Sequence, residues 1–223
     1  QPNAGAVATI LAVTGFKGGT GKTTTVINLA VAAQRAGQRV VVVDADRQRS
    51  LSLWLDRRQK NCATPIPGQS VEVRDAVTLI ASVMPAYDLV MIDMAGRDEA
   101  AVTEVIRVAD FCLVPTRPST LDADAAQRTV DALERLQKPY AVLINQAPPA
   151  SSSRFRAWTG FYDVRSRIVE PSWVARVAHQ DAIAAGLGVL EAQPASPAAL
   201  EVLGTWLWLR ARLDRLAREA RHV

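Results

Sequence analysis

The residue types that bind phosphate are concentrated in one short stretch near the start of the sequence. This stretch follows an apolar run and precedes a helical pattern. Its residues are Lys17, Gly18, Gly19, Thr20, Gly21, Lys22, Thr23 and Thr24. Glycines allow backbone N–H groups to approach a phosphate closely, and the N-terminus of the following helix favours the negative charge. The stretch therefore predicts a nucleotide phosphate-binding loop, and we interpret the nucleotide as ATP.

Two side chains of this loop have predicted roles in binding. We expect the Lys22 ammonium to neutralise β- and γ-phosphate oxygens and the Thr23 hydroxyl to ligate Mg²⁺, which prefers oxygen ligands. The sequence has 26 basic residues but only four lysines, and Lys17 is a second lysine in the same loop. An ordinary phosphate-binding loop has a glycine where this sequence has Phe16. The two lysines therefore indicate an altered form of the loop.

Three aspartates follow apolar runs and are candidates for the metal site. Asp44 and Asp46 close the second run, and carboxylates two residues apart on an extended chain lie on one face, where they can address the same hydrated metal. Asp93 closes the run 89–92, which matches the Walker-B pattern of four apolar residues and an aspartate. We expect Asp93 to hold Mg²⁺ through water.

The elements that must position these residues are five short apolar runs separated by helical patterns. The predicted strands are 8–14, 39–43, 87–92, 110–115 and 140–145, and the predicted helices are 22–36, 48–58, 73–83, 99–108, 121–137 and 197–221. Runs that are apolar on both faces predict parallel strands covered by helices. The predicted fold is a doubly wound α/β domain, with a mostly parallel sheet and its ligands at the carboxyl ends of the strands.

Composition limits the class of protein. A chain of 223 residues with 49% apolar content fits one α/β domain, so we predict a single domain over residues 1–223. Cys62 and Cys112 lie far apart and have no metal-ligand spacing, which favours reduced thiols in the cytoplasm. No segment approaches the roughly 20 apolar residues of a membrane span. The net charge of +4 permits contact with nucleic acid without demonstrating it.

These motifs resemble the ParA/MinD family of deviant Walker-A ATPases, and most closely its small ParA-type, ParF-like branch. The resemblance is most specific over 14–50, 87–96 and 111–126. It implies a P-loop ATPase with low intrinsic turnover that forms a homodimer around ATP and Mg²⁺. It also implies that Lys17 acts catalytically in the partner subunit. A cation that reaches the γ-phosphate only on association would couple charge stabilisation to dimerisation.

The resemblance assigns further roles to individual residues. It implies that Asp46 positions the attacking water and that Asp44 supports the Mg²⁺ shell, although Arg47 replaces the proline of the family's Asp-x-Asp-Pro-Gln segment. Asn145 matches a position that contacts adenine in several relatives, and an asparagine at a strand end is equally ordinary in a turn. In the loop 113–122, we expect Ser119 or Thr120 to cap the following helix.

The cargo of such an ATPase is suggested by arginines and by the resemblance together. The region 151–223 contains ten arginines, which engage phosphates without reading sequence. On charge alone an ordinary Arg-rich surface is as good an explanation, but ParA-type relatives bind nonspecific DNA. We select these candidates for DNA binding: Arg154, Arg156, Arg165, Arg167 and Arg176. The implied protein is bacterial and nucleoid-associated, and it segregates DNA or positions another cargo with a ParB-like or small DNA-binding adaptor.

Two other functions stay open at this point. The segments 16–19 and 121–124 also resemble VirC-type accessory ATPases of DNA transfer, which bind a specific sequence element. MinD-type relatives instead carry a terminal amphipathic membrane helix. Trp206, Leu209 and Leu213 repeat at helical spacing, but Leu203 and Leu207 flank this stripe. A helix that is apolar on more than one face favours packing on the domain over a membrane contact.

Overall fold

The computed structural model describes residues 8–62, 64–94, 99–148 and 167–219. Within these residues, six parallel strands form one sheet in the order β3-β2-β4-β1-β5-β6. The strands are β1 Thr9–Val13, β2 Val40–Ala45, β3 Gly68–Ser70, β4 Leu89–Met94, β5 Phe111–Thr116 and β6 Tyr140–Ile144. The predicted doubly wound α/β fold is confirmed, with β1 between β4 and β5 in the centre of the sheet.

The prediction of five strands missed β3. This edge strand has three exposed residues, Gly68, Gln69 and Ser70, and pairs only with β2 within the described part of the chain. A strand that buries no side chain leaves no apolar run in the sequence, so the hydrophobic pattern could not reveal it.

Eight α-helices accompany the sheet in the described ranges. They are α1 Lys22–Arg35, α2 Ser50–Asn61, α3 Ala76–Val83, α4 Glu99–Val108, α5 Thr120–Arg135, α6 Val177–Ala184, α7 Val189–Ala192 and α8 Pro197–Glu219. The six predicted helices are present, and the first three residues of the predicted helix 73–83 form a 3₁₀ turn. The helices α6 and α7 were not predicted, because α7 has only four residues and α6 buries only His179 and Ala182, which leaves no clear apolar period in its sequence.

Alternating side chains of the strands build two apolar cores, one on each face of the sheet. In β1, Leu11 and Val13 pack with α1, α2 and the C-terminal helices, whereas Ile10 and Ala12 face α3 and α4. Every residue of β2, β4 and β5 is buried. Because these strands are parallel and paired in register, the polar residues at the carboxyl ends of β1, β2 and β4 lie at one edge of the sheet.

Helix α8 packs on the domain, as the sequence predicted. Trp206, Leu209 and Leu213 are buried in the core that also contains α1. Leu200, Leu203 and Leu207 lie on the exposed side of the same helix. Among the residues that the structure describes, no helix is long and apolar enough to cross a membrane.

Candidate nucleotide-binding site

The loop between β1 and α1 is shaped by glycine and by a contact from β6. Gly21 has a φ of +92° and precedes the first residue of α1. A Cβ on Gly21 would lie 1.9 Å from Nδ2 of Asn145, so only glycine fits there. The Asn145 amide donates a hydrogen bond to the carbonyl of Thr20 at 2.9 Å, and its oxygen accepts one from the N–H of Gln146 at 2.8 Å. Asn145 thus holds the loop in place through its hydrogen bond to Thr20.

Lys22 lies at the start of α1, and its side chain folds back over the loop. Its ammonium donates a hydrogen bond to the carbonyl of Lys17 at 3.0 Å, and the residue is buried. Burial lowers the pKa of Lys22, while the nearby carboxylates of Asp93 and Asp46 raise it. These carboxylates partly offset the cost of holding the cation away from water, so the charge is already at the loop before any ligand arrives.

Thr23 and Asp93 form a hydrogen-bonded pair next to Lys22. The Thr23 hydroxyl donates to Oδ2 of Asp93 at 2.6 Å, and Asp93 is fully buried. Burial raises the pKa of Asp93 to about 7; the Thr23 hydrogen bond and Lys22 oppose this shift, and Asp44 adds to it. Oδ1 of Asp93 has no hydrogen-bond partner among the described residues. A buried carboxylate oxygen without a partner is costly, and a bound cation or its water would satisfy it.

Asp44 lies beside Asp93 on the neighbouring strand. The two residues are paired in the register of β2 and β4, so their side chains share the face of the sheet that α1 and α2 cover. Asp44 is fully buried and accepts hydrogen bonds from the N–H and the hydroxyl of Ser52, at 2.8 and 2.7 Å. Ser52 was not predicted as a site residue, because its contact depends on the direction that α2 takes after the loop.

Asp46 lies where β2 leaves the sheet and is partly exposed. Its backbone N–H donates to Oδ1 of Asp44 at 3.2 Å, and its own Oδ1 accepts from the N–H of Gln48 at 2.9 Å. A turn from the Asp46 carbonyl to the N–H of Arg49 leads into α2. Asp46 therefore faces the same edge of the sheet as Lys22 while it remains open to solvent.

Lys17 is held on the surface by Asp122. Its ammonium lies 2.7 Å from Oδ1 of Asp122, which also contacts Arg117 at 3.2 Å. Ser119 caps α5, as predicted, by accepting the N–H of Asp122, and its hydroxyl also bonds the Asp122 carboxylate. Burial acts to raise the pKa of Asp122, but hydrogen bonds from Lys17, Ser119 and Arg117 outweigh it and hold this pKa below its ordinary value. Asp122 was not predicted as a partner of Lys17.

The donor set suits a magnesium ion shared with a nucleotide better than one held by protein alone. No group of three or more His, Cys, Asp or Glu side chains within the described ranges could hold a metal. Mg²⁺ keeps several waters and is usually held by one or two carboxylates plus phosphate oxygens. Thr23, Asp44 and Asp93, with a buried oxygen left without a partner on Asp93, fit that mode.

The predicted DNA-contacting arginines are only partly within the described residues. Arg154, Arg156 and Arg165 lie outside them. Arg167 contacts Glu134 at 2.9 Å and lies over the ring of Tyr140, and Arg176 contacts Glu201 at 2.8 Å. Both described arginines thus have acidic partners on different helices, α5 and α8, and any contact with DNA would compete with these ion pairs.

Comparison with known proteins gives a consistent result. The sequence profile of the CobQ/CobB/MinD/ParA nucleotide binding domain matches residues 11–157. The chain is 30% identical over 187 residues to maintenance of carboxysome distribution protein A of Halothiobacillus neapolitanus, covering 81% of this chain and 86% of that protein. The corresponding protein of Gloeobacter kilaueensis is 34% identical over 190 residues, covering 82% and 84%.

The fold is also found among solved structures. The cell division ATPase MinD of Pyrococcus furiosus superposes with a TM-score of 0.72 at 20% identity, covering 92% of this chain and 99% of that one. At this level of identity the similarity concerns the fold alone.

Proposed function

The chain belongs to the CobQ/CobB/MinD/ParA nucleotide-binding family, and we propose that it is an ATP-hydrolysing switch whose ATP-bound dimer positions a cargo on DNA. The observation that carries this proposal is the cluster at the carboxyl edge of the sheet. There Lys22, Asp44 and Asp93 are buried, and one carboxylate oxygen of Asp93 has no hydrogen-bond partner among the described residues. We interpret this arrangement as a site completed by ATP and Mg²⁺.

The loop residues and the three aspartates have separate roles in this proposal. The backbone N–H groups of 18–21 surround the β-phosphate, and Lys22 neutralises its oxygens together with those of the γ-phosphate. Bound Mg²⁺ supplies charge neutralisation for the phosphates. Thr23 would ligate it, and Asp44 and Asp93 would hold its waters. Asp46, partly exposed at the end of β2, orients the attacking water.

Lys17 links hydrolysis to dimerisation. In the single chain its ammonium is partly exposed and paired with Asp122. Only the Lys17 side of this ion pair is exposed to solvent and Asp122 is buried, so the exchange of Lys17 for a phosphate of the partner subunit depends on the other donors to Asp122. Arg117 and Ser119 remain on Asp122 when Lys17 leaves, so the buried carboxylate keeps hydrogen-bond donors. Dimerisation can thus recruit Lys17 at small cost.

The cargo is proposed from the relatives and from charge. The named function of the two relatives is the distribution of carboxysomes. By analogy, we propose that this chain distributes a large cargo over the nucleoid in the cytoplasm. The ATP dimer would contact DNA without reading its sequence, and a ParB-like or small DNA-binding adaptor would stimulate hydrolysis. The candidates for DNA contact are Arg154, Arg156, Arg165, Arg167 and Arg176.

Measurements of dimerisation and of nucleotide affinity on purified protein test the proposed ATP switch. Light scattering with ATP and Mg²⁺ should show a dimer for the wild type and a monomer with ADP. Lys22→Ala should lose nucleotide affinity by about a hundredfold or more, because a charge-assisted contact disappears. Lys17→Ala should bind ATP as a monomer. Undiminished affinity in Lys22→Ala, or a stable Lys17→Ala dimer with normal turnover, would contradict these roles.

DNA binding is measured on the same samples by fluorescence anisotropy with random-sequence duplex. With about three phosphate contacts per subunit, the slope of log affinity against log salt should be near −5 for the dimer, giving roughly a thousandfold loss between 50 and 200 mM salt. Substituting the candidate arginines by alanine should reduce the slope, and Arg74→Ala, on the exposed 3₁₀ turn before α3, is the matched control. Binding that ignores the nucleotide would contradict the proposal, and binding confined to one sequence element would favour a DNA-transfer accessory instead.

A further inference from the structure

Asp44 receives most of its hydrogen bonds from one residue that lies eight positions further along the chain. Ser52 donates both its N–H and its hydroxyl to Oδ2 of Asp44, at 2.8 and 2.7 Å. Among the described residues, the other oxygen of the carboxylate, Oδ1, accepts only the longer bond of 3.2 Å from the N–H of Asp46. The two oxygens therefore differ: Oδ2 is engaged by two short bonds, and Oδ1 retains most of its capacity to accept.

We propose that Ser52 is a positioning residue that turns the Asp44 carboxylate so that Oδ1 faces the hydrated magnesium ion of the nucleotide. This inference rests on the proposed function, because it concerns the same site. A carboxylate on an extended strand can rotate about its side-chain bonds, and two donors fixed on one oxygen remove that freedom. The partners that orient metal-binding groups typically change metal affinity 10- to 100-fold when they are removed.

The position of Ser52 is itself fixed by α2. Its N–H belongs to the first turn of the helix, where backbone donors have no partner within the helix, and Asp44 satisfies it. Further along α2, the indole N–H of Trp54 donates to the carbonyl of Leu187 at 3.2 Å. Arg58, one turn after Trp54 on the same face of α2, is also fully buried. Trp54 and Arg58 thus anchor α2 to the rest of the domain, which fixes the position of Ser52 next to Asp44.

The test is the magnesium dependence of nucleotide binding, followed with a fluorescent ATP analogue in EDTA and at increasing Mg²⁺. For Ser52→Ala, we expect an affinity in EDTA within twofold of the wild type and a Mg²⁺ midpoint about tenfold higher. Ser52→Thr keeps the hydroxyl and should restore the midpoint to within twofold. Ser50→Ala is the matched control, since Ser50 is exposed on the same turn of the helix.

The outcomes separate this inference from the proposed function. A wild type that does not bind the analogue with Mg²⁺ contradicts the proposed function and, with it, the role of Ser52. If the wild type binds, an unchanged midpoint in Ser52→Ala overturns the inference alone. So does an equal loss of affinity with and without Mg²⁺, which would indicate a purely structural role for the serine. If Ser52→Ala does not fold, Ser52→Cys takes its place, because a thiol of similar size is only a weak donor.

Discussion

Two groups of polar side chains, each built around a buried charge, contact helix α1, one at its first turn and one at its last, and they differ in how completely the buried charge is paired. The site cluster consists of Lys22, Asp44 and Asp93. The Arg58 cluster consists of Arg58, Glu191 and Gln34. In the Arg58 cluster, the guanidinium uses all five of its N–H donors, on Thr64 O, Gly186 O, Gln34 and both oxygens of Glu191.

The pKa shifts of the two clusters show the same difference. Burial acts to raise the pKa of Glu191, but hydrogen bonds from Arg58 and from the N–H of Gly188 outweigh it and hold this pKa below its ordinary value. In the site cluster, burial prevails: it raises the pKa of Asp93 to about 7 and lowers the pKa of Lys22. A buried charged side chain that has all its hydrogen-bond partners joins the helices and loops that supply them. A buried charged side chain that lacks some of its partners can instead bind a ligand.

The largest effect that tests this comparison is expected for Arg58→Ala. Removing the guanidinium leaves Glu191 without its bidentate partner, and breaking a buried ion pair in this way typically costs about 3–5 kcal/mol of unfolding free energy. Urea denaturation measures the loss. Arg57→Ala, one residue earlier and exposed, is the control and should stay within about 0.5 kcal/mol. A loss below about 1 kcal/mol in Arg58→Ala would mean that the Arg58 cluster does not support the fold.

The contrast between the clusters also explains what the sequence could predict. The loop 17–24, the apolar runs and the aspartates that close them are local patterns, and each reports its own element. Ser52 and Asp122 are different, because their partners Asp44 and Lys17 are found only once α2 and α5 have taken their directions. The Arg58 cluster was not predicted at all, since it joins residues 34, 58 and 191. Contacts between residues so far apart in the chain depend on how the helices pack, and no local sequence pattern reports them.

A second prediction concerns the unfolding free energy that the protein loses by burying ionised Asp93 when no ligand is bound. The folded-state pKa of Asp93, about 7, lies above its unfolded value of 3.8, so the folded protein binds more protons between these values. The stability that the protonated Asp93 contributes is therefore complete below the unfolded pKa and is lost as pH rises through about 7. At pH 8, Asp93→Asn should be more stable than the wild type by at most about 4 kcal/mol, since one pKa unit corresponds to about 1.4 kcal/mol.

The measurement is urea denaturation without nucleotide or Mg²⁺ at several pH values. The gain from Asp93→Asn should grow between about pH 4 and pH 7 and then level off. The same variant should bind the ATP analogue with a weakened Mg²⁺ dependence, so that stability rises while the proposed function falls. A gain that is independent of pH, or no gain at pH 8, would show that Asp93 is not strained by its burial.

The smallest expected effect concerns backbone strain beside each cluster. Next to the Arg58 cluster, the chain adopts a φ of +76° at Gly186, where glycine has no steric penalty. Next to the site cluster, the chain adopts a φ of +51° at Arg49, immediately before α2.

Placing a residue with a Cβ in this left-handed region lowers the unfolding free energy by roughly 1–2 kcal/mol. Glycine avoids this loss but costs about 0.5–1 kcal/mol in chain entropy. Arg49→Gly should therefore stabilise the protein by about 0.5–1 kcal/mol in urea denaturation. Arg49→Ala retains the Cβ and should show no gain, which separates the backbone from the exposed side chain. An equal gain in both variants would assign the effect to the arginine side chain and remove strain as a difference between the two regions.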